Sequence, residues 1–474
     1  MSVARRIAMN MASAVLGKAV IALAGVGTVT VMTRALGADG YGIYRTAFTF
    51  VSFAAVSANL GLSYVALREA AVDGGRGDRI VGAALTLRLL ATLLALAAGL
   101  VIALFLPWDR IVVGVIAIAA LGFVAFNGNE ILTAILQWRL RQDRAVLAET
   151  IGVTLALLAV VVAARFHLGV LGMMSSTSFG LIVTFLIAWR YASRLGPLHL
   201  VADKEIWGAL ARPGLPVAVS IYLALISLRG DTLLLSFLKP PEDVGYYGIV
   251  SKIYELGLQL PVLFGGLLMP RLSRSAGNAQ EMRRQISDAL HVLVIVGVAI
   301  ALTLAFFSGE IVTILAGRGF MPASPALAVT GFSLALASCS AVLRYAIVAQ
   351  GRQMRLMFVE GVATTLSMVA YAALIPHWSF MGAAYGKLGG QIVLLVCLLI
   401  VTSRHTGWPV PAQASRVLLT GAVTGGALFA MQQSSLPVLV VALLGALVYG
   451  LGLVVTGAVS PAAVRAMLAG EGGR

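Results

Sequence analysis

The sequence predicts an all-α integral membrane protein with about fourteen transmembrane helices. Three observations carry that prediction. Hydrophobic residues make up 60% of the 474 positions and charged ones only 11%, with a mean hydropathy of +0.97. Soluble domains run nearer 45–50% apolar and about 25% charged. The apolar residues also fall in runs long enough to span a bilayer, which takes about 20 residues. Finally, basic residues collect at alternate ends of those runs. A water-soluble globule is excluded, and so is a disordered chain, because so much apolar surface does not stay solvated.

In chain order the expected spans are 12–33, 46–66, 82–106, 111–136, 147–164, 168–189, 215–238, 245–268, 287–308, 325–349, 355–375, 380–402, 417–431 and 436–457. The first follows Arg5 and Arg6, as a signal peptide would. Its apolar stretch is too long for one, and no small-residue cleavage site follows. Pro213, Gly214 and Pro216 open the seventh span, Gly230 interrupts it, Pro261 lies in the eighth, and Gly25 and Gly27 lie in the first. Such breaks suit helices that line a transport route, although glycine in a span more often serves packing. At roughly 34 residues per span and turn, no length is left for a sizeable extramembrane domain.

Charge placement tests the count. With the N-terminus in the cytoplasm, 22 of the 34 Lys and Arg residues fall at inner ends and loops. They include Arg68, Arg76, Arg139, Arg141, Arg144, Arg190, Arg194, Arg465 and Arg474. Six fall outside, among them Arg34 and Arg45, and six lie within spans. This is the positive-inside bias, and it places both termini in the cytoplasm. The same bias accounts for most of the formal charge of +15, so no nucleic-acid partner is implied. Cys339 and Cys397 lie in apolar runs, which argues against a structural disulfide.

The chain shows signs of an internal repeat. Gly40-Tyr41-Gly42-Ile43-Tyr44 follows the first span, and Gly245-Tyr246-Tyr247-Gly248-Ile249 follows the seventh. Six spans per half would give a parallel repeat, related by an axis along the membrane normal. The expected domains are 1–200, 201–410 and a two-span appendage over 411–474. The competing reading is chance, since glycine and tyrosine are common near membrane interfaces.

Catalytic signatures are lacking. Gly17-Lys18 is followed by Ala19 and Gly386-Lys387 by Leu388, so neither continues into a phosphate-cradling loop. The five histidines have no metal-ligand spacing. No enzyme, cofactor or metal is expected. The informative residues are charges within spans: Lys18, Arg88, Glu130, Arg229, Asp231, Lys252, Glu255, Arg344, Glu360 and Lys387. A charge at the bilayer centre costs from about 2.5 to over 10 kcal/mol, so it faces a cavity or a partner. Lys18, Arg88 and Arg344 lie about six residues from the inner end, within reach of snorkelling. Arg229 lies roughly 21 and 14 Å from the two ends of its span, near the midplane. Asp231, Lys252 and Glu255 share its depth. They form either a self-neutralised cluster or a cavity lining whose cations exchange partners with an anionic substrate. Six basic against four acidic residues favours a substrate that carries phosphate.

Fourteen spans in two six-span halves with a two-span tail resemble the MOP superfamily, which includes MATE drug exporters and lipid-linked oligosaccharide flippases. The most specific stretch is Asn10, Gly17, Thr33-Arg34-Ala35-Leu36-Gly37-Ala38-Asp39-Gly40-Tyr41-Gly42 and Asn59-Leu60-Gly61-Leu62. It resembles the opening of Wzx-type polysaccharide biosynthesis proteins. That resemblance implies a V-shaped pair of six-helix bundles around a central cavity. It implies an undecaprenyl-pyrophosphate-linked glycan as substrate, moved from the cytoplasmic to the periplasmic leaflet of the bacterial inner membrane for exopolysaccharide, capsule or O-antigen. The drive would be a proton or sodium gradient rather than ATP, and membrane lipids and a polysaccharide polymerase complex would be partners. By position, Arg229, Lys18, Arg88, Lys252 and Arg344 match the cavity cations, and Asp231, Glu255 and Glu360 the coupling network. MurJ-like lipid II flipping and MATE-type antiport are the alternatives. Residues 8–33 hold no acid, which counts against an antiporter with an acidic first helix. A membrane glycosyltransferase would need a large outer loop with catalytic carboxylates. The longest outer loop here, near 309–324, has only Glu310.

Overall fold

The structure, a computed structural model, describes residues 3–59, 61–62, 77–139, 141–195, 200–434 and 436–459. Arg68, Arg76, Arg465, Arg474 and the end of the second expected span lie outside the described residues. Every regular element among the described residues is helical. They are α1 (Val3–Ser57), α2 (Gly77–Phe105), α3 (Arg110–Trp138), α4 (Gln142–Arg165), α5 (Gly169–Ala192), α6 (Lys204–Leu238), α7 (Pro241–Arg274), α8 (Ala279–Phe306), α9 (Ser308–Ala316), a 3-10 turn (Arg318–Ala323), α10 (Ser324–Ala349), α11 (Gln353–Thr406), α12 (Ala414–Gln432) and α13 (Val438–Val455). Hydrocarbon offers no hydrogen bonds, so the backbone satisfies itself within each helix. Hydroxyls follow the same rule. Thr33 donates to the Val29 carbonyl at 2.9 Å and Thr92 to that of Arg88 at 2.7 Å.

Among the described residues, twelve helices are long and apolar enough to cross a membrane, and each of the fourteen expected spans overlaps one of them. The difference lies in α1 and α11, which run 55 and 54 residues. At 1.5 Å per residue each is about 80 Å long, against a hydrocarbon core of about 30 Å. Each is broken once, at Gly37 (φ 67°, ψ −174°) and at Ser379 (φ 47°, ψ −131°). Both breaks fall between two expected spans. Gly37 takes a positive φ without a Cβ penalty, whereas Ser379 bears that penalty. The turn expected over residues 34–45 therefore shrinks to a single residue. Arg45, expected in an outer loop, lies inside the second arm of α1 and is only 4% exposed.

The breaks expected at prolines are absent. Residues 213–216 are helical within α6, and α7 runs through Pro261 and Pro270. Proline is tolerated in membrane helices where neighbouring groups satisfy the freed carbonyl. At the N-terminus of α6, Asp203 accepts from the Glu205 and Ile206 amides at 3.0 and 3.2 Å and from Arg79 Nη2 at 2.8 Å. The Ile206 amide foremost, then the Glu205 amide and Arg79, hold its carboxyl below the usual range.

By packing the chain divides into two units, residues 1–249 with 313–320, and residues 250–312 with 321–474. The boundaries expected at 200 and 410 rest on the expected repeat, which this division by packing does not test. In unit one, α1 packs on α2, α3, α4, α5 and α6, and α3 packs on α5. Leu85, Ile131, Leu132, Leu136, Ala148 and Ala188 fill its core. Small residues allow close approach: a Cβ on Gly122 would lie 2.8 Å from the Ser178 backbone. In unit two, α10 packs on α8 and α11, and α12 packs on α8 and α13. Its core holds Leu290, Val342, Leu343, Ala346 and Leu398.

The two Gly-Tyr motifs lie together in unit one. A Cβ on Gly42 would collide with the Pro241 carbonyl oxygen, and one on Gly245 with that of Ala38. The second arm of α1 and the start of α7 therefore meet backbone to backbone, which only glycine permits. Tyr41 and Tyr247 are buried beside this contact.

Candidate functional site

The intramembrane charges form several distinct clusters. In unit one, Arg88 on α2 is fully buried (0% exposed). Its Nη2 donates to Asn127 Oδ1 at 3.1 Å and to Glu130 Oε2, both on α3. Asn127 Nδ2 donates in turn to the Ala55 carbonyl at 3.0 Å and to Thr92 Oγ1 at 2.9 Å. Asn59 Nδ2 reaches Glu130 Oε2 at 3.4 Å. The sequence explains the convergence. Arg88 and Thr92 are four apart on α2, Asn127 and Glu130 three apart on α3, so each pair shares a helix face. Burying a guanidinium is tolerable only with a partner and hydrogen bonds, and this network supplies both. The Glu130 side chain remains 36% exposed, so the acid of the pair is its open end.

Arg229 is half-buried in the last third of α6. Its Nη1 donates to Ser52 Oγ at 2.8 Å, and its guanidinium lies 5.2 Å from the Phe48 ring centroid. Both partners lie one turn apart on the second arm of α1, which fixes the arginine from one side. Asp231 is fully buried and accepts from Tyr247 Oη at 2.6 Å and from its neighbour Thr232, amide at 2.6 Å and hydroxyl at 3.2 Å. The tyrosine that meets it belongs to the second Gly-Tyr motif. Lys18, on the long first arm of α1, pairs with Glu149 of α4 at 2.7 Å, and both are exposed.

In unit two, Arg344 of α10 and Glu360 of α11 pair at 2.8 Å with side chains 33% and 21% exposed. Lys252 and Glu255 are 3.8 Å apart on successive turns of α7. The buried Lys387 Nζ lies 4.5 Å from the Tyr254 ring centroid.

Sequence reasoning named the charges and missed their neutral partners, Asn127, Thr92, Asn59, Ser52 and Tyr247. The signal for the first two was a polar stripe at helical spacing on an otherwise apolar helix. Glu130, one of the charges expected within spans, is the partner of Arg88. Among the described residues no cluster of His, Cys, Asp and Glu could hold a metal ion.

The sequence profile of the polysaccharide biosynthesis protein family matches residues 7–276, more than half of the chain. The chain belongs to the polysaccharide biosynthesis protein family. No curated protein sequence matches this family member. Among solved structures it is similar to the lipid II flippase MurJ in an inward closed conformation, with a TM-score of 0.78 and 13% identity over 93% of this chain and 97% of that one. An inward-facing multidrug resistance MATE transporter of the MOP superfamily gives 0.66 and 15% identity, over 81% of this chain and 95% of that one. A MOP superfamily transporter from Pyrococcus furiosus, described as having a binding pocket of reversed polarity, gives 0.59 and 16% identity, over 84% and 94%. At such identities the likeness shows the fold. This polysaccharide biosynthesis protein has the helical membrane fold of the MOP superfamily, in the family that the N-terminal motif resembled.

Proposed function

We propose that the protein is a flippase that moves undecaprenyl-pyrophosphate-linked oligosaccharide repeat units from the cytoplasmic to the periplasmic leaflet by alternating access. The family match over residues 7–276 carries the reading. It fits fourteen crossings of the bacterial inner membrane with both termini in the cytoplasm, two six-span halves, and an ion gradient rather than ATP as the drive.

Arg229 is the residue best suited to meet the pyrophosphate. It is half-buried within the apolar stretch of α6, and Ser52 and Phe48 hold its guanidinium from the side of α1. Arg344 is also partly open, whereas Arg88 is sealed and would act through Glu130. Asp231, Glu255 and Glu360 would carry the coupling. The test is polysaccharide output together with membrane abundance. Arg229→Ala should abolish export at near-normal abundance. Arg229→Lys should keep part of it, since the charge remains and the planar fork is lost. Normal export from a triple variant that also neutralises Asp231 and Glu255 would remove Arg229 from the substrate site.

The runner-up is a lipid II flippase, favoured by the 0.78 score against MurJ. Growth rescue of cells depleted of their own lipid II flippase would decide for it. No rescue, with export of a polysaccharide repeat, would decide for the first reading.

A further inference from the structure

In unit one, the start of α4 and the end of α5, with the residues just beyond it, border a pocket of about 170 Å³. Arg141, Arg144, Tyr191, Arg194 and Leu195 line it. The volume is several times the roughly 30 Å³ that one water occupies in the liquid. The positive-inside bias explains why arginines are frequent at such helix ends. It does not explain why three of them converge on one concavity from segments some fifty residues apart in sequence.

The local charge is unbalanced. Among the described residues, Asp143 pairs with two of these arginines, at 3.5 Å from Arg141 Nε and 3.4 Å from Arg144 Nε. Among the described lining residues and their ion pairs, three guanidinium groups meet one carboxylate, an excess of two positive charges. Arg144 is also held on a second side: its guanidinium carbon lies 4.9 Å from the Tyr191 ring centroid. The remaining wall is Tyr191 and Leu195, a ring and an aliphatic chain. A free inorganic anion has no use for an apolar wall. A group with phosphate at one end and hydrocarbon at the other uses both.

We propose that this pocket binds the headgroup phosphate of an anionic membrane phospholipid. The arginines take the phosphate oxygens, and the Tyr191 and Leu195 wall takes the start of the lipid's apolar part. Basic pockets between helix ends at the membrane surface hold anionic headgroups by this chemistry. The site stands apart from Arg229 and does not depend on the proposed transport reading.

The experiment uses the full chain, purified and placed in phosphatidylcholine discs with or without phosphatidylglycerol. Bound lipid is counted by native mass spectrometry. The variant Arg141→Gln/Arg194→Gln leaves Arg144 on Tyr191 and should weaken phosphatidylglycerol binding by about thirtyfold, from two lost charges near the surface. Arg274→Gln/Arg404→Gln, an equal charge loss elsewhere, should leave it unchanged. Arg141→Lys/Arg194→Lys, which keeps the charge, should retain most of it. Unchanged binding in the glutamine variant overturns the proposal, as does an equal loss in the Arg274/Arg404 control or in the lysine variant. A further arm adds inorganic phosphate to the protein in discs with phosphatidylglycerol and in phosphatidylcholine alone. Phosphate that displaces the lipid at millimolar concentration, or raises the melting temperature as much as the lipid does, would make this a free-anion site and overturn the lipid reading.

Discussion

Arg88 with Glu130 in unit one and Arg344 with Glu360 in unit two look alike in the sequence: an arginine about two turns inside a span and an acid in a neighbouring one. The structure separates them. Arg88 is sealed at 0% exposure and its pair is bracketed by Asn127, Thr92 and Asn59. Arg344 stands a third exposed, and no side-chain hydrogen-bond network of that kind surrounds it among the described contacts. Depth in a span therefore does not define a charge's role. What surrounds the pair decides whether it works as a joint or stays available to a ligand.

The largest expected effect breaks or confirms that contrast. Arg88→Ala strands Glu130 and unpins Asn127, at a cost of about 3–5 kcal/mol, the scale for breaking a buried pair. Arg344→Ala should cost about 1 kcal/mol or less, as for exposed pairs. Thermal unfolding in detergent and membrane abundance read both. Equal losses would mean that exposure does not separate the two pairs. Next comes the glycine contact. Gly42→Ala or Gly245→Ala forces backbone apart in unit one and should cost about 1–3 kcal/mol. Gly266→Ala in unit two meets only Tyr345 Oη, at 3.8 Å, so helix propensity makes it neutral or stabilising by up to about 1 kcal/mol. A similar loss at both would place the cost in the helices themselves rather than in the contact.

Asn127→Ala sharpens the comparison from within the network. It removes the acceptor for Arg88 and the donor to Ala55 and Thr92, which should cost about 1–3 kcal/mol. Arg88→Ala/Asn127→Ala should then fall short of the sum of its parts, because the residues act as one group. A strictly additive double variant would dissolve the network into independent contacts. The smallest effect lies outside the spans, at Asp203. Its carboxyl is held below the ordinary value, so its contribution is present at neutral pH. It is lost as pH falls through the lowered folded value, below about 4. Asp203→Asn should lower the melting temperature slightly at pH 7, and the two proteins should converge in acid. A gap that persists there would assign the effect to the cap alone.

Much of the fold is legible in the sequence because hydrophobic runs and charge alternation are properties of single segments. The break at Gly37 was less so. Arg34, Asp39 and Arg45 read as a polar turn, yet the helix resumes at once and Arg45 is buried where no single-segment pattern predicts it. The candidate site was legible by residue and not by partner. Which acid meets Arg88 depends on how α2 and α3 are rotated, and that is set by packing. The Gly-Tyr motifs were read as marks of a repeat. Their mutual contact could not be seen until the helices that carry them were known to be neighbours.

That contact also has a cost in time during synthesis. Gly42 and its partner Pro241 are separated by about 200 residues of chain. At about 5–20 residues per second, the second arm of α1 waits roughly 10–40 s for the surface that covers it. Throughout that interval a glycine-lined strip of backbone, fitted for close approach by another helix, stands open in the bilayer while five further helices are made. The nascent protein must keep that strip from unrelated helices, so the burden of correct assembly falls on the first half of translation.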